Sequence, residues 1–341
     1  MNLALLIGRF PPGVGGAELQ AAEWAARLAR RHHVTVITRR LPANLPACER
    51  RDGYDVRRTP VVPVPGLRTV LDLRACAAVV DGLDPRPDLL LCFQTFVSGW
   101  IGVRLQRRYG IPALVWVRGE DELRVTGSAR GRQSPGVWRE ATGVLVQSET
   151  QRTALLAAAR ARDPGLARDV EGKLAVVPNG VVLPPAVTPP GQAVLGVGRL
   201  IADKGWHDLI AALAGRGIPL VLAGIGPERA ALETLARARQ VDVRFQGFVG
   251  RERLGALLEG ARCVVLPSRR GEGFPNVVLE AMAHGRAPVV TPVSGGGTLV
   301  RDGEDGVVVR SGDVRALGEA VERLTRDPAL AARLGATARA T

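Results

Sequence analysis

Cysteine, lysine, histidine and the aromatic residues are all scarce in this 341-residue chain. Its four cysteines, Cys48, Cys76, Cys92 and Cys263, form no CxxC pair, so neither a zinc site nor a disulfide framework is indicated and a reducing compartment is the simplest setting. Aromatic residues make up 4% of the chain and do not interleave with basic ones, which argues against a nucleic-acid binder. The four histidines, His32, His33, His207 and His284, show no metal-ligand spacing. Long apolar runs are missing too. The run 3–7 is ended at once by Gly8 and Arg9, so no secretory signal is expected. The longest uncharged stretch, 174–198, carries five prolines and reads as a linker, not a membrane span. A folded protein is expected, with a cytoplasmic location.

What is present is arginine and a repeated alternation. The chain carries 46 basic and 33 acidic side chains, a net +13, and only Lys173 and Lys204 among the basic ones are lysines. Residues 1–183 hold +9 of that excess and 184–341 hold +4, so the first half is the one to meet an anionic partner: a phosphorylated substrate or, peripherally, the inner face of an anionic membrane. Short apolar runs at 3–7, 34–38, 88–93, 113–117, 143–147 and 173–177 alternate with stretches of helical period. The same pattern returns at 193–197, 219–223, 241–246, 263–267, 287–291 and 306–309. Strand–helix alternation of this kind makes parallel sheets. The expected fold is α/β: two Rossmann-like doubly wound domains, 1–183 and 184–341, joined through the Pro-rich run 178–192 and facing a central cleft. In such sheets ligands sit beyond the carboxyl ends of the strands, so the loops there carry the chemistry.

Three loops stand out. After the first strand comes a Gly-rich turn, 8–16, ending in Gly15-Gly16 at a helix start, where backbone N–H groups can approach an anion. It is neither a GxGxxG nor a Walker loop, and a plain connecting turn is the alternative. After the first strand of the second half comes 196–205, with Arg199 at the strand end and Lys204 at the next helix. A chain that favours arginine so strongly keeps a lysine here, where a compact charge suits a phosphate oxygen; a solvated surface lysine is the alternative. The third loop, 268–285, holds Glu272, Gly273, Phe274, Pro275, Asn276, Val277 and Glu280. Pro275 fits a first helical position, so two carboxylates flank a helix N-terminus, an arrangement suited to a ligand with hydroxyls at both ends and phosphate between. A helix cap with a surface glutamate is the alternative there.

The string Glu-Gly-Phe-Pro-Asn-x3-Glu, with seven residues between its carboxylates, resembles the signature of the retaining glycosyltransferases of family 4, which have the GT-B architecture. Gly198-Arg199 followed by Lys204-Gly205, Pro178-Asn179-Gly180-Val181, Gly224-x-Gly226-Pro227, Phe245-x-Gly247 and the 13–16 loop fall in the same order, so the resemblance covers nearly the whole chain. It implies that a nucleotide-diphosphate sugar, a co-substrate with no cofactor beside it, binds the C-terminal domain. A glycan, lipid-linked or small-molecule acceptor would bind the N-terminal one. Carried onto this sequence, Arg199 and Lys204 would neutralise the diphosphate, and Glu280 would accept from the ribose hydroxyls. Glu272 and the backbone of Gly273, Phe274, Asn276 and Val277 around Pro275 would hold the sugar. Gly247, Phe248 and Val249 would read the base, and Gly15 and Gly16 would close on the phosphates. The implied reaction is transfer with retention, by front-face attack within an ion pair and with no essential metal, and the sequence has no DxD-type acidic pair.

Two departures accompany the resemblance. Many members place a His-Gly-x-Asp string after the fifth strand, where this chain has Arg118-Gly119-Glu120-Asp121. Arg118 cannot be a base at neutral pH; it can stabilise negative charge, leaving Asp121 or Glu120 for the acceptor proton, or it can be a salt-bridge residue at a strand end. Members also commonly end in a helix crossing back over the N-terminal domain, and here 324–334 is followed soon by Thr341. Three other readings stay open: a nucleotide-sugar-binding partner subunit with weakened catalysis, an epimerase of the same fold, and a basic nucleic-acid binder. Lastly, 124–139 reads as a basic loop, in which Arg124, Arg130, Arg132 and Arg139 with Trp138 face an anionic acceptor, lipid headgroups or simply solvent, whereas Trp116 reads as core.

Overall fold

A computed structural model describes residues 1–12, 15–61, 68–123, 129–270, 273–293 and 299–341, and of residues 120, 121 and 129–132 only the backbone. The chain divides into two compact units between Pro178 and Asn179, earlier than the 183/184 division expected from composition. Asn179 goes with the second unit because its buried side chain donates to Asn276 Oδ1 at 2.5 Å.

The first unit is built on β1 (Asn2–Leu6), β2 (His33–Arg39), β3 (Cys48–Arg51), β4 (Tyr54–Thr59), β5 (Leu89–Phe93), β6 (Ala113–Trp116), β7 (Gly143–Val146) and β8 (Leu174–Val176), in the spatial order β3-β4-β2-β1-β5-β6-β7-β8. All neighbours are parallel except the β3–β4 hairpin at the edge. Both faces of the central strands are apolar because both are covered. Leu3, Leu5, Val34 and Val36 pack with Ala21 and Ala25 of the helix Gly16–Leu28 on one face. Ala4, Leu6 and Ile37 pack with Cys76 and Val80 of Arg68–Asp81 and with Leu105 of Trp100–Tyr109 on the other.

The second unit holds β9 (Ala193–Val197), β10 (Leu220–Ala223), β11 (Val243–Gly247), β12 (Ala261–Leu266), β13 (Ala287–Val290) and β14 (Val307–Val308), all parallel, in the order β11-β10-β9-β12-β13-β14. Its main core gathers Trp206, Leu209 and Leu213 of the helix Trp206–Leu213 and the stripe Leu317, Val321 and Leu324 of Val314–Arg326, a spacing that puts all three on one helix face. In each sheet the chain runs first to one side and then to the other, reversing at β1/β5 and at β9/β12. The carboxyl ends of those two pairs are the topological switch points, where doubly wound sheets bind ligands.

The basic loop expected over 124–139 is corrected in part. Residues 129–140 form the helix Ala129–Glu140, and Trp138 is fully buried, its Nε1 donating to Thr95 Oγ1 at 3.0 Å. It is core, not a headgroup contact. Arg139 pairs with Asp163 and, at 3.4 Å, with Asp169; Arg124 lies outside the described residues. Trp116 is core as expected, fully buried and edge-on to Trp24 at 4.9 Å.

Candidate functional site

At the carboxyl edge of the second sheet the backbone itself is the building material. Gly198 follows β9, and Lys204 lies in the 3-10 turn Ala202–Lys204. A Cβ added to Gly198 would stand 3.6 Å from Lys204 Cε and 3.3 Å from the Trp206 ring, so the lysine stem crosses directly over the strand end. Trp206 Nε1 donates to the carbonyl of the exposed Arg199 at 2.9 Å and fixes its backbone. Gly205, at φ +71°, lies so close to the loop after β12 that a Cβ would meet the Pro267 carbonyl at 2.0 Å. Likewise a Cβ on Gly224 would fall 1.8 Å from the Gly198 carbonyl and one on Gly226 2.2 Å from that of Leu200. The Gly224 amide donates to Gly247 O at 2.7 Å, so the loops after β9, β10, β11 and β12 interlock closely through main chain, and Arg269 after β12 adds a side-chain tie, its Nε donating to Asp208 Oδ2 at 2.7 Å. Phe248, half exposed, and Ile225 stand at the ends of neighbouring strands β11 and β10 as apolar surface, with Val249 partly buried beside Phe248.

After β12 the helix Asn276–Ala283 opens with Pro275 at its cap position, not in its first turn as the sequence suggests. The amides of Asn276 and Val277 therefore belong to the first helical turn, with Gly273 and Phe274 leading in. Glu280 is half-buried on this helix. Burial pushes its carboxyl up to about 7, against the field of Arg251 at the start of the helix Arg251–Glu259, just after Gly247–Gly250. Glu272 lies outside the described residues. Arg199, Lys204, Gly247, Phe248, Val249, Gly273, Phe274, Pro275, Asn276, Val277 and Glu280 thus all belong to this one edge or the helix that opens on it.

A second group lies at the carboxyl edge of the first sheet. Gly15 caps the helix Gly16–Leu28, and Glu18 folds back over it: its carboxylate occupies the space a Cβ on Gly15 would take. Arg118, after β6, stacks over the Trp116 ring at 4.8 Å and the Phe93 ring at 5.5 Å. Burial lowers its pKa to about 10, with the charges of Glu122 and Glu18 opposing, so the guanidinium stays charged at neutral pH. The backbone of Asp121 sits in the short helix Glu120–Leu123; its side chain is outside the described set.

The residue that sequence reasoning missed is Glu122. It is buried, and it accepts from Thr95 N at 2.6 Å and from Arg118 N at 3.0 Å, tying the end of β5 to the end of β6. Burial raises its pKa, while those amides and Arg118 work the other way. Thr95 opens an irregular turn, Thr95–Gly99, flanked by Gln94 at φ 91° and containing Val97 at φ 53°, backbone conformations that side chains rarely adopt and that persist only where the surroundings fix them. Only the acidic run 120–122 hinted at it, and nothing in that run marks the third carboxylate as the buried one.

The family comparisons bear on both edges. The model of the family described as "Glycosyl transferases group 1" matches residues 189–341, and that of the "Glycosyl transferase 4-like domain" matches residues 15–180. The chain belongs to the GT-B glycosyltransferases. Among curated relatives, alpha-D-kanosaminyltransferase from Streptomyces kanamyceticus is 39% identical over 42% of this chain and 39% of its own length. Glycogen synthase from Mycobacterium tuberculosis is 32% identical over 74% of this chain. The chain spans 64% of that second relative's length, under two thirds in both cases. Among solved structures, sucrose-phosphate synthase from Thermosynechococcus elongatus superposes with a TM-score of 0.83 at 23% identity, covering 99% of this chain and 93% of that one. Anabaena HepE, solved with UDP-glucose, gives 0.80 at 21% identity over 100% and 94%. The GT-B fold expected from the motifs is therefore established, with each half of this glycosyltransferase chain matched by its own family domain.

Proposed function

We propose that this protein is a retaining, metal-independent glycosyltransferase that moves a sugar from a nucleotide-diphosphate sugar to a glycan, lipid-linked or small-molecule acceptor. The observation that carries the reading is the glycine-interlocked edge of the second sheet, which puts Arg199, Lys204, the first turn of Asn276–Ala283 and Glu280 around one switch point. There Arg199 and Lys204 take the diphosphate, Glu280 accepts from the ribose hydroxyls, and Gly247, Phe248 and Val249 face the base. Glu272, with the amides of Phe274, Asn276 and Val277, holds the sugar; Pro275 has no N–H to give. The Anabaena protein of the same fold binds UDP-glucose, which supports a donor of this class.

In the reaction the bond from the anomeric carbon to the diphosphate oxygen breaks. Fixed cations and helix-terminal amides stabilise the leaving-group charge in the place a metal would take. The acceptor oxygen attacks from the same face within the resulting ion pair, and its proton leaves to Asp121 or Glu120, with Arg118 as the neighbouring cation. Incubating the donor and an acceptor with the protein and reading the product anomer by proton NMR tests this: retained configuration is expected, and inversion refutes it. A trapped covalent glycosyl-enzyme would replace the front-face route by double displacement.

A second reading, a nucleotide-sugar-binding partner subunit with weakened catalysis, is favoured by one observation: Arg118 stands charged at the position where the family resemblance implies a histidine. Slow donor hydrolysis by the purified protein separates the two, since the subunit binds without turnover. The cytoplasmic, membrane-peripheral placement is part of the main reading. Its membrane-peripheral part rests on the +9 excess of residues 1–183; no helix among the described residues is long and apolar enough to cross a bilayer. Co-sedimentation with acidic liposomes is its check.

A further inference from the structure

The first sheet carries a second oriented cation that the reading above leaves unused. Arg39 ends β2, and its Nε and Nη2 both donate to Oδ2 of Asp72, the former at 3.1 Å. Asp72 is buried, and the Arg39 side chain is 15% exposed. A pair this dry is held at a desolvation penalty that an apolar pair of the same shape would avoid. The arrangement leaves the guanidinium's other end pointed elsewhere: Nη1 stands 3.8 Å from where a Cβ on Gly8 would sit, and no acceptor among the described residues is seated on it. Gly8, Arg39 and Asp72 line a small, mostly apolar pocket together with Val97 and Ser98 of the strained turn after β5. That pocket opens at the carboxyl edge beside the β1/β5 switch point, where the exposed Arg9 and the partly exposed Arg40 and Arg118 also lie.

We propose that the acceptor of this enzyme bears an anionic group, a phosphate or carboxylate, and that Arg39, held in place by Asp72, receives it. The inference rests on the reading that the first unit binds the acceptor. Asp72 fixes the guanidinium plane, so Nη1 meets the incoming oxygen without losing rotamer freedom at that moment. The acceptor is thereby anchored between β1 and β2, one strand away from β5 and two from the end of β6, where Arg118 stands.

The test follows the Nε–Hε NMR signal of Arg39 in the full chain, assigned by its loss in Arg39→Lys. Inorganic phosphate is titrated with UDP, GDP and ADP present to fill the nucleotide site. A saturable shift that weakens with added salt is expected, with acetate acting in the same way and glucose not at all. Phosphate affinity, read by calorimetric titration in every protein because the variants lack the Arg39 signal, should fall at least about tenfold in the double variant Arg39→Met/Asp72→Leu, as expected for a lost charge-assisted hydrogen bond. That variant removes both partners, so no buried charge is left alone; its melting curve reports whether the fold is kept, and Arg39→Lys serves as the affinity comparison if it is not. An unmoved signal, an equal response to glucose, or unchanged phosphate affinity in the variants overturns the proposal. Melting of the wild type with each nucleotide tests the donor reading by itself. If the nucleotides leave the midpoint unmoved while phosphate still moves Arg39, the donor reading falls and the anion site stands.

Discussion

The two sheets of this glycosyltransferase share a topology around their switch points but build their carboxyl edges from different material. In the second unit Gly205, Gly224 and Gly226 bring main chain against main chain, each at a place where a Cβ would collide with a carbonyl, with the Arg269–Asp208 ion pair as a side-chain tie beside them. In the first unit the edge is tied by side chains: Glu122 across β5 and β6, Arg39 with Asp72, and Arg58, whose Nη2 donates to the Pro11 carbonyl at 3.2 Å. A main-chain cradle suits a ligand part that does not vary, such as a pyrophosphate. A side-chain frame can be exchanged piece by piece, which suits an acceptor that differs from one enzyme to the next.

The sharpest way to break this contrast is Gly205→Ala. The substitution forces a left-handed backbone on a residue with a Cβ and drives that Cβ into the Pro267 carbonyl, so a loss of about 3 kcal/mol in denaturant unfolding is expected. Gly247→Ala is the internal comparison: φ is +67° but nothing lies within 4 Å, and about 1 kcal/mol should be lost. Equal losses at the two positions would mean that close approach is not what the second edge depends on.

In the first unit the corresponding probe is Glu122→Gln. One of the two backbone amides would then face an NH2 group, for a loss of about 2 kcal/mol in stability. Sugar transfer should fall while nucleotide binding holds, because Glu122 sets the backbone of Arg118 and of the turn after β5, both in the unit proposed to hold the acceptor. Loss of nucleotide binding in a folded variant would contradict that separation.

A further probe is a pH dependence confined to the second edge. Ribose hydroxyls donate to an ionised carboxylate, so binding favours the deprotonated Glu280. With its pKa pushed up to about 7 in the free protein, nucleotide-sugar affinity should rise with pH through 7 and level off above it, by about tenfold between pH 6 and 8. Glu280→Gln should flatten the profile in calorimetric titrations, whereas a profile unchanged in the variant would remove Glu280 from the ribose.

The same contrast explains what could be read from the chain beforehand. The interlocking glycines, the lysine among arginines and the paired glutamates leave marks at fixed spacing, because main-chain contact and phosphate charge restrict residue type. Parallel strands showed as short apolar runs because both their faces are covered. The β3–β4 hairpin was not expected, as its strands, Cys48–Arg51 and Tyr54–Thr59, are rich in arginine. Its Asp52-Gly53 turn, with φ of 45° and 86°, was the available signal for two residues in the left-handed region. The helix Ala129–Glu140 was hidden by Pro135 and two glycines, poor helix formers overruled by the burial of Trp138. Glu122 and the Arg39–Asp72 pair were illegible for a different reason. Their roles come from partners 27 and 33 residues away, and only the folded chain brings those together.

The most direct measurement is thermal melting with UDP, GDP and ADP, for the wild type and for Arg199→Ala/Lys204→Ala. A ligand that binds the folded state raises the midpoint. At least one nucleotide should do so in the wild type, and none at the same concentration in the double variant, whose own midpoint stays near the wild-type value because Arg199 is exposed and Lys204 partly so. A wild type indifferent to all three nucleotides, or a variant that responds as the wild type does, would contradict a pyrophosphate site at this edge.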